Sequence, residues 1–266
     1  MEAAMAKMKG KIDDLRYLRN LAERILTNNT SYSRNRSIID KFFKEDSFDV
    51  SLPKLSYADK IYVRLTLIDS FYSTNMTKHY EGLRDLAEMI SKKTKDDSDL
   101  RAKIDMYKEC LKQPELDNLF ESSYGNPASR APSLISKYFY FVTNHNFPIE
   151  DRLVRKNIKK FLKIFGREID FQPYSKDDES SNLIKCLLKL DIAKESFSAF
   201  DNLVWLYGKI SNKSYSLILK GKGFEKAGEL NGNVNKLRTY VAQNIGITDD
   251  LCNFIEQVNN INNKET

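Results

Sequence analysis

Three cysteines in 266 residues, Cys110, Cys186 and Cys252, are too few for a four-cysteine iron–sulfur cluster and too widely spaced for a paired zinc motif. Neither of those metal centres is expected, and no cofactor of another kind is expected either. The sequence also lacks any run of about 18 apolar residues. Its first stretch, MEAAMAKMKGKIDDLRYL, mixes both charge signs without a long apolar segment. Neither a membrane span nor a secretory signal is expected, and a cytoplasmic, reducing setting is the default expectation. An excess of one charge is missing too. The 43 Lys and Arg stand against 37 Asp and Glu, a formal +6, so nucleic acid is permitted as a partner rather than demanded. Strand-like alternation and internal repeats are absent. Lys220-Gly221-Lys222-Gly223 lacks the Gly-x-x-x-x-Gly-Lys-Ser/Thr spacing of a P-loop, which argues against an ATPase of that kind and leaves contact with a phosphate backbone as its use.

What is present is helical spacing. A hydrophobic content of 41% supports a sizeable core, in one large or two small domains. Ile12, Leu15, Leu18, Leu21, Ala22 and Ile25 predict a first helix, and Ile38, Ile39, Phe42 and Phe43 the inward side of a second. After Pro53, the apolar positions from Ala58 to Phe71 predict a buried helix that ends in Tyr72-Ser73-Thr74-Asn75-Met76-Thr77. Tyr80, Leu83, Leu86, Ala87 and Ile90 then line another. Ser91 to Asp99 (SKKTKDDSD) reads as a charged linker, Leu100, Ile104, Tyr107 and Leu111 as a further amphipathic helix, and Tyr124-Gly125-Asn126-Pro127 as a turn. The expectation is an all-α chain in three parts. These are an N-terminal helical segment (1–56), a helical core (57–210) and a small C-terminal helical extension (211–266).

The core is organised around residues 129–160, SRAPSLISKYFYFVTNHNFPIEDRLVRKNIKK. An apolar, aromatic helix leads through an Asn/His-rich loop to Phe147-Pro148-Ile149-Glu150-Asp151. Pro148 turns the chain and a helix starts near Asp151, where exposed backbone N–H groups favour a carboxylate. Arg152, Arg155, Lys156, Lys159 and Lys160 follow at spacings of three and four, giving that helix a cationic side. Capping alone accounts for Asp151 on this reading.

Phe147-Pro148-Ile149-x-Asp151-x-x-Val154-Arg155 also resembles the segment around the catalytic aspartate of the helix-hairpin-helix DNA glycosylases, most closely that of the adenine-DNA glycosylases, while Ser73-Thr74-Asn75-Met76 is similar to a turn of the 8-oxoguanine-glycosylase-like members. The resemblance covers about residues 58–210 and implies a multi-helix glycosylase-like fold that acts on a damaged or modified base flipped out of DNA. Asp151 would stabilise the oxocarbenium ion or activate water, and Arg152, Arg155 and Lys156 would hold the flanking phosphates. Bifunctional members carry a lysine nucleophile eighteen residues before the aspartate. Ser133 stands there, as in monofunctional members. The family's glycine-any-glycine hairpin is replaced by Ser129-Arg130-Ala131-Pro132, so Arg130 and Ser133 are the hairpin's candidate DNA contacts.

Other residues carry two readings each. Lys137, one turn after Ser133, is either a Schiff-base nucleophile or a packing or phosphate-contacting lysine. Asn75 lies where 8-oxoguanine glycosylases place the asparagine that fills the gap left by the flipped base, and is also an ordinary helix-boundary residue. Trp205 and Tyr207 either wall a base pocket or fill a core. The resemblance implies DNA as the partner, a monomer, and no membrane. The competing expectation is a catalytically inactive helical module that binds DNA or another protein.

Overall fold

Helix-compatible spacing prevails among the described residues. The computed structural model describes residues 2–27, 31–44, 55–72, 74, 76, 80–126, 128–165, 167–169, 182–211 and 248–263. Its helices are α1 (Glu2–Thr27), α2 (Ser31–Phe43), α3 (Tyr57–Tyr72), α4 (Tyr80–Lys93), α5 (Asp97–Cys110), α6 (Pro114–Glu121), α7 (Pro132–Val142), α8 (Arg152–Ile164), α9 (Asn182–Lys189), α10 (Asp191–Lys194), α11 (Phe197–Ser211) and α12 (Thr248–Asn263). The only strands among the described residues are β1 (Ser123–Tyr124) and β2 (Ser129–Arg130), a two-residue antiparallel pair. The described residues are thus all-α apart from that ladder. No helix among the described residues is long and apolar enough to cross a membrane.

The residues form two compact units whose make-up follows packing rather than chain order. One gathers Met1–Arg34, Leu153–Asp170 and Ala199–Thr266. In it Leu15, Leu18, Leu21, Ala22 and Ile25 of α1 are buried, as are Leu251, Phe254, Ile255 and Val258 of α12, and the two helices pack together. Arg24 joins them at the surface, donating from Nε (2.9 Å) and Nη2 (3.1 Å) to the two oxygens of Asp250 and holding that carboxyl below its usual range. In the same unit α11 can come close to α8 because Gly208 has no side chain. A Cβ there would lie 3.1 Å from Asn157 Nδ2 and 3.3 Å from Leu153 Cβ.

The other unit, Asn35–Arg152 with Phe171–Ser198, is built around α7. Every residue of α7 from Leu134 to Val142 is buried, Ser136 and Lys137 among them. Helix α7 packs against α3, α5 and α6. Phe139 meets Phe120 and Phe147 edge-on at 5.7 and 5.4 Å, an arrangement the ring quadrupoles favour. Its C-terminus closes as a Schellman turn. The Asn144 N–H reaches Phe141 O (3.1 Å), the His145 N–H reaches Tyr140 O (2.7 Å), and Asn144 takes the left-handed conformation at φ 52°.

Two sequence expectations change here. Ile38 is exposed rather than inward. The charged stretch 91–99 is the end of α4, a three-residue connection and the start of α5, not a linker. Asp96 accepts from the Asp99 N–H (2.9 Å), while Asp99 accepts from the Lys95 N–H (2.9 Å), so these acids terminate a helix start instead of solvating a loop. Helix α3 carries two buried charges, Arg64 and Asp69, within its apolar sequence.

Burial also holds protons on phenols. It pushes Tyr57, Tyr124 and Tyr138 well above the ordinary tyrosine value, with the Asp97 carboxylate adding to the effect at Tyr57 and Tyr138. A raised folded value means stability is intact below the unfolded value of about 10 and is lost as pH rises beyond it, because unfolding then releases protons. These three rings should show no phenolate absorbance in the folded state above that pH. Their ionisation should coincide with loss of the helical circular-dichroism signal, and ionisation before unfolding would contradict their burial.

Candidate functional site

The segment before Asp151 is held by backbone–side-chain bonds. After Gly125 turns at φ 76°, β2 returns the chain into α7. Helix α4 accommodates that turn. A Cβ on Gly82 would sit 3.2 Å from Tyr124 C and 3.3 Å from Gly125 N, and Asp85 accepts the Gly125 N–H at 3.2 Å. The order is therefore helix, short hairpin, helix, with α6 and α7 on either side. Past α7, Phe147 and Glu150 are buried. The Glu150 N–H donates to Ser136 Oγ (3.0 Å), and that hydroxyl also lies 3.3 Å from Glu150 O. Lys137 along α7 and Asp151 along the loop each follow one member of this bonded pair.

Asp151 is half-buried and is the last residue before α8. Helix α8 buries Val154, Ile158, Phe161 and Leu162 and exposes Arg152, Lys156 and Lys160, with Arg155 half-buried, so its cationic side is the one turned from the apolar core. Among the other expected site residues, Lys137 is 4% exposed. Its Nζ lies 2.5 Å from Ser133 Oγ and 5.8 Å from the centre of the Tyr72 ring, which places the ammonium inside the unit. Arg130 is exposed and pairs with Glu121 at 3.1 Å. Tyr207 is 1% exposed, with its ring 5.0 Å from that of Phe161, and Trp205 is half-buried beneath Lys209 Nζ at 5.0 Å. The structure thus gathers Ser133, Lys137 and Arg130 with the Asp151 turn in one unit. Arg155, Lys156, Trp205 and Tyr207 belong to the other.

Asn75 lies outside the described residues. Its neighbours are fixed from α3, where buried Asp69 accepts hydrogen bonds from the Thr74 hydroxyl and from the Met76 N–H (2.8 Å).

No family model, curated protein or solved structure matches this chain.

A second constellation escaped the sequence reading. His145, at φ 68°, stacks on Tyr140 with ring centres 4.6 Å apart and has both nitrogens engaged. Nδ1 is 2.9 Å from Arg36 Nη2, and Nε2 is 2.7 Å from Asp40 Oδ1. A guanidinium can only donate, so Nδ1 accepts and the imidazole proton sits on Nε2, donated to Asp40. His145 thereby pins the end of α7 to α2, and neither nitrogen is left to serve a substrate. Beside this pin lies a cleft of about 630 Å³ between α2, the end of α7 and Arg101 of α5. No group of three His, Cys, Asp or Glu among the described residues is placed to hold a metal ion.

Proposed function

We propose that this protein is a DNA glycosylase that removes a damaged or modified base turned out of the duplex, with Asp151 as its catalytic carboxylate. The observation that carries the reading is the setting of Asp151. It is half-buried, it opens the cationic helix α8, and it follows a backbone segment clamped on α7 through Ser136. A carboxylate so held keeps its position relative to a reacting sugar, which is what stabilising an oxocarbenium ion requires. The helix–hairpin–helix order of α6, the short ladder and α7 supports the same reading, with the family's glycine hairpin rebuilt around Gly125.

The roles follow from charge and reach. As the base leaves with the bonding electrons, positive charge grows on the sugar. Asp151 either stabilises that charge or takes a proton from the attacking water. Arg152 and Lys156, exposed on α8, hold backbone phosphates without reading sequence. Ser133 in place of the family lysine, and Lys137 turned into the unit against it, favour a monofunctional enzyme that leaves an abasic site.

End-labelled duplexes carrying oxidised, alkylated, deaminated or hypermodified bases test this. Wild type should yield strand breaks only after alkali, and Asp151→Asn should lose about 10²–10⁴-fold in rate while still binding DNA. Breaks without alkali that are trapped by borohydride and lost in Lys137→Ala would make it a lyase instead. The burial of Lys137 and Tyr207 favours a second reading, a non-catalytic DNA-binding module. No cleavage of any substrate, with salt-sensitive DNA binding retained, would establish it.

A further inference from the structure

Helix α8 holds six Lys and Arg and no acidic residue, which equals the formal +6 of the whole chain. The rest of the sequence therefore sums to zero, and the net charge is concentrated on one helix. Arg155 and Lys156 make contacts of their own, so the row is counted without them. Four cations remain. Arg152, Lys160 and Lys163 are exposed and Lys159 is half-buried, and none of the four forms an ion pair among the described residues. At about 100° per residue, Arg152, Lys159 and Lys163 fall within about 40° of one another, with Lys160 about 60° to one side. At about 1.5 Å per residue, the row is about 16.5 Å long.

A row of that length suits a polyanion with repeating charge, not one small anion. Duplex DNA presents about one negative charge per 1.7 Å of its axis. An anionic membrane needs an apolar helix face to enter the headgroups, and on α8 that face, Val154, Ile158, Phe161 and Leu162, is buried. A single strand is held by stacking its bases on exposed aromatic rings. The only aromatic of α8 is Phe161, 1% exposed, so the row offers none. Three of the four cations are lysines, point charges suited to phosphate that lack the planar fork arginine brings to a base edge.

We propose that α8 is a rail for the backbone of duplex DNA, in which Lys159, Lys160 and Lys163 extend the contact begun at Arg152 and favour duplex over single strands whatever the sequence. This rests on the reading that α8 meets DNA, and it adds that affinity resides in the row and not in the Asp151 carboxylate. Undamaged duplex is therefore bound too.

Fluorescence anisotropy on the full chain tests it with short undamaged duplexes of two unrelated sequences and with one of their single strands, beside co-sedimentation with phosphatidylserine vesicles. Both duplexes should bind alike, more tightly than the strand, and lose affinity steeply as salt is raised. Lys159→Gln, Lys160→Gln and Lys163→Gln combined should weaken duplex binding about tenfold or more and make its salt slope shallower by about 0.9 per lysine. Lys159→Arg, Lys160→Arg and Lys163→Arg combined, which keeps the charge, should bind like wild type. No duplex binding, equal or tighter binding of the single strand, capture by the vesicles in place of duplex, or an unchanged salt slope in a glutamine variant whose circular dichroism is intact would overturn the proposal. Base release is read separately. Duplex binding that behaves as expected without release of any base removes the glycosylase and leaves the rail, whereas release with duplex affinity untouched by the glutamine changes leaves the glycosylase and removes the rail.

Discussion

Replacing Arg64 with methionine should cost about 3 kcal/mol of folding stability, several times the effect of removing any surface ion pair of this protein. Arg64 is 3% exposed, with Nη1 2.7 Å from Asp97 Oδ2 and Nε donating to Phe42 O at 2.8 Å. Burial opposes its charge, but Tyr138 and Asp97 outweigh that and hold its pKa above the ordinary arginine value. Methionine keeps much of the volume and the contact with Phe43, so the loss is electrostatic. It removes one charged donor from the mostly buried Asp97 carboxylate and from the Phe42 carbonyl. The position of Asp97 at the start of α5 and the Tyr57 hydroxyl at 3.2 Å compensate part of the charge, which keeps the figure at the lower end for a broken buried pair. Urea denaturation of Arg64→Met, Asp97→Asn and the double variant measures the coupling. The double variant should recover a large share of the single loss, and strict additivity would mean that the pair acts through packing alone.

Arg64 also marks where sequence reasoning stopped. Helix α3 was legible from its apolar spacing, and Ile61, Leu65 and Ile68 are buried as that spacing predicts. Arg64 and Asp69 belong to the same buried surface because each meets groups outside its own helix. Arg64 meets Asp97, and Asp69 meets the backbone beyond the end of its own helix. Periodicity reports which side of a helix is apolar and carries no information about such partners. The start of α5 was more accessible, since Asp96-Asp97-Ser98-Asp99 has the spacing of a capped helix start and was hidden by its resemblance to a solvated charge run.

The candidate site divides in the same way. Asp151 before a cationic helix was readable from Pro148, the acid and the lysine spacing, all local signals. The clamp that holds it, Ser136 on Glu150, was not, because a serine inside an aromatic run gives no sign of which backbone it bonds. Arg36 and Asp40 of α2, with Lys44 just beyond its end, recur every four residues, a signal available in the sequence. That His145 would meet two of them from 105 and 109 residues away depended on the left-handed turn after α7, which only the packed structure fixes.

Removing the Phe147 ring should produce the other large effect. Phe147 is fully buried, edge-on to Phe139 at 5.4 Å and 6.5 Å from Tyr107, where it joins the loop before Asp151 to α7 and α5. Phe147→Ala should destabilise the protein by about 3–5 kcal/mol through lost burial and the cavity left behind, a large fraction of the roughly 5–15 kcal/mol that holds a domain folded. Phe147→Leu retains most of the volume and should cost less than half as much. Chemical denaturation of the two variants checks the ordering, and a loss below about 1 kcal/mol for alanine would mean that the ring pocket collapses freely and does not anchor the loop. The consequence for Asp151 is separable. At temperatures where Phe147→Ala remains folded, the Ser136–Glu150 bonds still tie the loop to α7, so base release in the glycosylase reading should slow while DNA affinity, carried by α8, stays near the wild-type value. Equal losses in rate and affinity would show that Phe147 supports the fold as a whole and does not position the carboxylate.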